Sequence, residues 1–143
     1  MKRYIASFGA LLIVLAIVIL VHCSSDSTTT TETPPSIKDD PSFSSDIQSI
    51  FNNNCISSGC HNAGAAGGMV LLQGQSYTNL VNVASTQEPG KTRVIPNDSA
   101  NSYIVIKLEG RQTSGNRMPS GGSLDSNSIQ NIKNWVDKGA KDN

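Results

Sequence analysis

The chain has 143 residues, with 11 basic and 11 acidic side chains that give a formal net charge of zero. This length is typical of one domain, and the lack of a basic or acidic block argues against a nucleic-acid partner. Aromatic residues make up only 5% of the chain. A large apolar cofactor would therefore help such a small domain to bury enough surface.

The N-terminal segment has the composition of an export signal. Lys2 and Arg3 precede an apolar run over residues 5–21, and Cys23 comes directly before a polar stretch. A positive start, an apolar core and a cleavage site define a secretory signal. Residues 20–23 resemble the lipobox of bacterial lipoproteins, in which the Cys is lipidated. The apolar run is also long enough to favour an uncleaved membrane anchor, so both alternatives stay open.

Both alternatives predict that residues 1–22 are a signal peptide or membrane anchor and that the remaining chain lies outside the cytoplasm. Residues 23–41 are rich in Ser, Thr, Asp and Pro, and Ile37 is the one aliphatic side chain among them. This composition cannot bury a core and predicts a disordered tether. We expect a domain over 42–143 that is held at the periplasmic or cell-surface face of a membrane, by a lipid on Cys23 or by an N-terminal helix.

The domain is predicted to be mainly α, with a large share of loop. Apolar residues recur at helical spacing, and no segment has a clear strand pattern, although 69–72 and 104–106 could form strands. Ser42 or Ser44 is expected to cap the first helix, Ser99 the third, and Gly110 to close the third. The predicted helices cover residues 43–51, 77–83, 103–108 and 125–138, and the predicted loops include 64–68 and 111–123.

The chemistry-bearing residues lie between the first two helices. Cys55 and Cys60 are followed directly by His61. A Cys pair with an adjacent His is the attachment signature of c-type haem, in which each thiol adds to a vinyl group and the His binds iron. Four residues separate the two Cys here, where the signature has two. Ser58 and Gly59 could bulge outward at little conformational cost.

Two other interpretations of Cys55, Cys60 and His61 are a structural disulfide and a zinc site. Exported proteins favour disulfides, and Cys55 and Cys60 are close enough in sequence to be bridged. A zinc site is the other alternative, but Cys55, Cys60 and His61 supply three ligands, whereas structural zinc takes four.

A haem of this type would need a second axial ligand downstream, usually Met or His. Met69 lies in an apolar run and is interpreted as a core residue. Met118 lies in the long polar loop beside Pro119, where packing does not explain it. We therefore favour Met118 over Met69, and His/Met ligation suits electron transfer.

Residues 43–140 resemble small class I cytochromes c, particularly the c-type domains of planctomycete-type exported proteins. The resemblance is carried by five segments: Ile50-Phe51, Cys60-His61, Arg93-Val94-Ile95-Pro96 with Ser102-Tyr103, Arg117-Met118-Pro119, and residues 132–140.

The resemblance implies a helical fold with long loops around one covalent haem c. The first and last helices would cross beside the haem, with Phe51 against Trp135. Arg93 and Arg117 could pair with the haem propionates or be solvated surface charges. The implied haem residues are Cys55 and Cys60 for attachment, His61 and Met118 as proximal and distal iron ligands, and Pro96 and Tyr103 as pocket residues.

These features predict a monohaem cytochrome that exchanges single electrons with an unidentified redox partner protein. It is not expected to be an enzyme. Two alternatives are a haem enzyme that acts on a small molecule such as a peroxide, and a haem-free binding domain with a disulfide between Cys55 and Cys60.

Overall fold

The computed structural model describes residues 33–143. The predicted signal or anchor, the lipidation site Cys23 and most of the predicted tether lie outside the described residues. Within 33–143, no helix is both long enough and apolar enough to cross a membrane. The described part contains four short α-helices joined by long irregular segments.

The first predicted helix is confirmed, with an unusual start. A π-helical turn over Phe43–Ile47 continues directly into α1, Gln48–Asn54. Ser42 occupies the N-cap position, but its side chain makes no capping bond. Instead, its backbone N–H donates to the carboxylate of Asp46 at 3.0 Å. The acidic side chain thereby satisfies a backbone donor that would otherwise be left free at the helix start.

The second and third helices are also present, and each is shorter or capped differently than predicted. Helix α2 covers Ser76–Leu80, and α3 covers Tyr103–Glu109. Ser102, and not Ser99, is the N-cap residue of α3. Ser99 instead donates to Asp137 through its backbone N–H and its hydroxyl. Residues 104–106 belong to α3, and 69–72 form no strand.

The last helix, α4, covers Ser126–Asp137 and confirms the prediction within one residue at each end. The side chain of Asp125 accepts the N–H of Ser128 at 2.9 Å, which is an N-cap bond. The predicted apolar stripe is buried at Ile132, Trp135 and Val136. These residues form the inner face of α4 because positions three and four apart lie on one side of a helix.

Three aromatic rings form the centre of the core. The resemblance implied that Phe51 meets Trp135; both rings are buried in the same core cluster, together with Phe43. The Phe43 centroid is 6.4 Å from that of Phe51 and 5.2 Å from that of Trp135. Tyr77 packs edge-on against Phe43 from a third side, at 5.3 Å. The π-helical turn therefore packs against α4.

A loop between α2 and α3 folds back on itself and places several site residues. Val81 pairs with Val94, and Ala84 with Thr92, as isolated bridges. The N–H of Arg93 donates to Val83 O at 2.8 Å within this pairing. Residues 85–87 consequently lie at the turn of the loop, directly beside Arg93 in space.

Residues 35–41 differ from the predicted tether. The side chain of Asn131 accepts the backbone N–H of Lys38 at 2.8 Å and donates to Ser36 O at 2.9 Å. Asn134 donates to Lys38 O, and Asn127 to Pro35 O. Composition predicted disorder because this segment has almost no apolar surface. It is ordered against α4 by amide side chains that satisfy its backbone groups.

We expect Asn131→Ala to lower the free energy of unfolding by about 1–3 kcal/mol, because it removes a buried amide and with it two hydrogen bonds to the backbone of Ser36 and Lys38. Urea unfolding measures the loss, and limited proteolysis should show new cleavage within 33–41. Asn127→Ala, which removes one longer bond at 3.1 Å, is the matched control and should cost less than 1.5 kcal/mol, the upper range for one hydrogen bond. Equal effects of the two substitutions would contradict the assigned role of Asn131.

Candidate functional site

A single cavity of about 500 Å³ brings together most of the predicted site residues. Its volume lies within the range of roughly 300–1,000 Å³ that is usual for cofactor and ligand pockets. Its walls come from α1, α3, the Cys-bearing loop and the loop 111–123. The predicted residues that line it are Cys55, Cys60, His61, Arg93, Tyr103 and Met118.

The loop between the two Cys closes on itself. Cys55 ends α1, and its N–H donates to Phe51 O at 2.8 Å. The Cys60 N–H donates to Ser57 O, and the His61 N–H donates back to Cys55 O, both at 2.9 Å. Gly59 takes the left-handed conformation that this turn needs, with φ +78°. The four intervening residues are thus accommodated as a compact turn that returns Cys60 and His61 to Cys55.

Cys55 and Cys60 are both free thiols in this arrangement. Burial, followed by the neighbouring charge of Cys60, raises the pKa of the Cys55 thiol to about 12. Cys55 is therefore protonated at neutral pH in the haem-free and metal-free chain.

His61 has an unused buried nitrogen. Its Nδ1 is enclosed and has no hydrogen-bond partner among the described residues. A Cβ atom added at Gly67 would lie 4.0 Å from His61 Cε1, so Gly67 is a neighbour of the imidazole ring. Buried polar atoms almost always have partners, so this nitrogen is an exception within a residue that lines the cavity.

Met118 and Met69 both line the cavity. The interpretation of Met69 as a core residue is therefore incomplete, since it borders the cavity as well as the core. Met118 is fixed through its backbone, because its N–H donates to Lys107 O at 3.0 Å. The two sulfur atoms are thus both candidates by position.

The loop that carries Met118 caps the C-terminal end of α3. Carbonyl groups at such an end have no partner within the helix. Here the Met118 N–H binds Lys107 O, and Arg117 Nε donates to Leu108 O at 2.9 Å. The arginine stem covers Gly110, which has φ +76° and leaves 3.2 Å between an added Cβ and Arg117 Cδ.

Two predicted pocket residues lie elsewhere. Arg117 is exposed and is absent from the cavity wall, which agrees with the second of its two expected roles, a solvated surface charge. Its guanidinium anchors the loop to α3. Pro96 is half-buried in the turn after Val94 and does not line the cavity either. The order of motifs in the sequence does not predict whether Arg117 and Pro96 reach the cavity, because their positions depend on how the loops pack in three dimensions.

We expect Gly110→Ala to lower the free energy of unfolding by about 1–2 kcal/mol from the left-handed backbone conformation, plus a further loss from displacing Arg117. Gly74→Ala is the matched control, since Gly74 has φ +77° and no atom near an added Cβ. Urea unfolding of both variants measures the difference. Equal losses at the two glycines would show that Arg117 is not held against Gly110.

Two buried cations line the cavity. Arg93 is 7% exposed and Lys107 6% exposed. Arg93 donates to Asn79 O at 2.7 Å and to Gly68 O at 3.0 Å, and Lys107 Nζ donates to Gln87 Oε1 at 2.7 Å. Within residues 33–143, neither cation has a carboxylate within ion-pairing distance. Arg93 is therefore no solvated surface charge.

The environment of these cations favours an anionic ligand. Burial lowers the pKa of both Arg93 and Lys107. The nearby charge of Glu88 raises the pKa of Lys107, but burial has the larger effect. Burial, followed by Glu88, raises the pKa of the Tyr103 hydroxyl. Unpaired buried charge is costly, so a carboxylate-bearing ligand would stabilise this end of the cavity.

Lys107 was missed in the sequence, where it reads as an ordinary basic residue in the last turn of a helix. A signal for it was present. Lys107 follows Tyr103 by four positions, so both side chains lie on one face of α3, and the ammonium is 5.8 Å from the Tyr103 ring centroid.

Comparison with known proteins gives no match: no family model, curated protein or solved structure is similar to this chain. The site is therefore interpreted from its own residues. The cavity offers two free thiols, an imidazole with an unused nitrogen, thioether sulfurs and two buried cations. This set of donors fits a porphyrin that has two vinyl groups, a central iron and two carboxylates.

Proposed function

We propose that this protein is a monohaem c-type cytochrome that transfers single electrons outside the cytoplasm. One observation carries the proposal. The thiols of Cys55 and Cys60 and the imidazole of His61 border the same largely apolar cavity, although the spacing of the two Cys is wider than usual.

Each group would have a separate task. Cys55 and Cys60 would form the thioether bonds, His61 and Met118 would bind the iron, and Arg93 with Lys107 would meet the carboxylates. When bound, the haem supplies a one-electron couple, and the protein tunes it through the ligands, hydrogen bonds and burial. For electron transfer, the cavity residues do not have to transfer a proton or bind a substrate.

The proposal includes the location of the protein. Export and a membrane tether at Cys23, or an uncleaved N-terminal helix, would hold the cytochrome at the outer side of a membrane. Haem attachment to Cys thiols requires that the two Cys stay reduced until the haem arrives. The free thiols of Cys55 and Cys60 are compatible with this requirement.

The first test is expression with a c-type maturation system, followed by haem staining of a denaturing gel and an absorption spectrum. A stained band with the α and β bands of a reduced cytochrome is the expected result. A colourless protein in which Cys55 and Cys60 form a disulfide would contradict the proposal and favour a haem-free binding domain.

A second measurement assigns the distal ligand. Oxidised His/Met cytochromes have a weak long-wavelength charge-transfer band, and we expect Met118→Ala to abolish it. Met69→Ala is the matched control, because Met69 borders the same cavity, and it should retain the band. Loss of the band in Met69→Ala alone would transfer the ligand role to Met69. A wild-type iron without a Met bond would favour the alternative of a haem enzyme.

A further inference from the structure

Among residues 33–143, the exposed residues that line the cavity are all uncharged. Of the residues that line the cavity, the two charged ones, Arg93 and Lys107, are buried. All the exposed ones are small or polar and uncharged. We call these exposed residues the rim: Asn54, Ser57, Gly67, Thr86, Gln87 and Ser120.

The uncharged region extends well beyond the rim. Residues 47–87 contain no Asp, Glu, Lys or Arg, and neither do residues 118–124. Charged side chains flank both stretches, so the pattern is not a property of the whole surface. Glu88 follows the rim residue Gln87, but it is half-buried, with one carboxylate oxygen enclosed.

We propose that the rim is a docking surface for a second copy of this chain and that electrons pass between copies across it. This inference rests on the proposed function. The electron leaves a reduced copy and enters an oxidised copy, so that the first becomes oxidised and the second reduced. No bond forms or breaks and no proton moves, so reactants and products are the same pair.

The charge distribution identifies a second copy as the occupant. A surface that docks a charged partner carries the opposite charge, which steers the encounter. When the same patch of two copies meets in a symmetric contact, each residue lies close to its own counterpart, so any charge on the rim would face a like charge. An uncharged rim removes this repulsion, and residues 33–143 carry nine basic and nine acidic side chains, so little net repulsion remains at longer range.

Small side chains also favour close approach of two cavity mouths. Ser57, Gly67 and Ser120 extend little from the backbone. Weak, short-lived electron-transfer contacts bury less than about 1,200 Å² in total. Such contacts tolerate a polar surface, because they need proximity of the redox centres and rapid separation more than affinity.

The test is the electron self-exchange rate of the full chain in detergent, measured by NMR on mixtures of the oxidised and reduced protein. We expect the rate to change less than about twofold between roughly 0.01 and 0.5 M salt, because screening acts only on charges. A rate that changes by more than about fivefold across this range would overturn the proposal, since it would reveal a charged contact surface.

Two rim variants, Ser57→Lys and Ser120→Lys, place a like charge between the copies. Each should slow self-exchange about fivefold or more at low salt, and high salt should restore the rate. Among residues 33–143, neither serine hydroxyl has a hydrogen-bond partner, and the bonds that Ser57 accepts from Asn62 and Cys60 go to its backbone carbonyl. Ala100→Lys adds the same charge at an exposed position outside the cavity wall and should have no such effect. Equal effects of Ala100→Lys and Ser57→Lys would overturn the proposal.

A second readout separates this inference from the proposed function. Amide shifts of ¹⁵N-labelled protein, recorded at increasing concentration, report self-contact with or without haem. Shift changes confined to the rim support the docking surface, and their absence at millimolar concentration overturns it. Haem staining of the same sample decides the proposed function independently, so a colourless protein with rim-confined shifts would refute the cytochrome and retain the surface.

Discussion

Replacing both Cys55 and Cys60 with Ala should remove all covalently bound haem, so that the denaturing gel shows the protein without a stained band. Each thiol can form one thioether, and no other Cys lies in the domain over 42–143. The single variants should retain haem through one thioether, with a shifted α band. Haem staining and the reduced spectrum measure both results.

Cys23→Ser is the control for this experiment. Cys23 is predicted to carry a lipid and not haem, so this variant should stain as strongly as the wild type while it loses its lipid modification. A stained band that persists in the double variant would show that attachment does not use the two thiols. A stained band that disappears in Cys23→Ser would show that Cys23 is needed for haem attachment, which would contradict its assignment to a lipid alone.

Local patterns predicted the helices well because these elements depend on short-range periodicity. The buried stripe of α4, with Ile132, Trp135 and Val136, follows from spacings of three and four. Gly110 was predicted to close α3 and does so with a left-handed conformation. Both features need only residues within one or two turns of each other.

The features that the sequence did not predict depend on contacts between distant residues. Residues 35–41 are ordered because Asn131, more than 90 positions away, satisfies their backbone groups. Phe43 lies in the π-helical turn that precedes α1, and its ring packs near those of both Phe51 and Trp135. Neither contact has a signature in composition or periodicity.

The part of the site that depends on local structure was predicted, and the part that depends on distant contacts was not. Cys55, Cys60 and His61 are fixed by a local turn, so motif spacing was enough to bring them together. Arg117 is exposed at the end of α3, whereas Lys107, which no sequence pattern singled out, is buried at the cavity. Sequence order does not determine which of two nearby cations lines a cavity, because this depends on how the loops pack in three dimensions.

The second large effect concerns pH and the haem-free chain. Cys55 has a pKa of about 12 in the fold, against an ordinary value of 9.0. Between these two pH values the unfolded chain loses the thiol proton and the folded chain keeps it. Stability from this group is therefore fully present below pH 9 and falls as pH rises towards 12. At about 1.4 kcal/mol per pH unit, the loss reaches at most about 4 kcal/mol.

Urea unfolding of the haem-free chain at about pH 7.5, 9.5 and 11, under reducing conditions, measures this loss. Tyr103 and Lys107 are unchanged in Cys55→Ala, so the difference between wild type and this variant reports on the thiol. The haem-loaded protein should not show the Cys55 contribution, because a thioether sulfur has no proton to release. Parallel pH dependence of the wild type and Cys55→Ala would mean that the thiol is not buried as described. Parallel dependence of the haem-free and haem-loaded wild type, with a clear difference from Cys55→Ala, would mean that Cys55 remains a free thiol in the loaded protein and that Cys60 alone carries the haem.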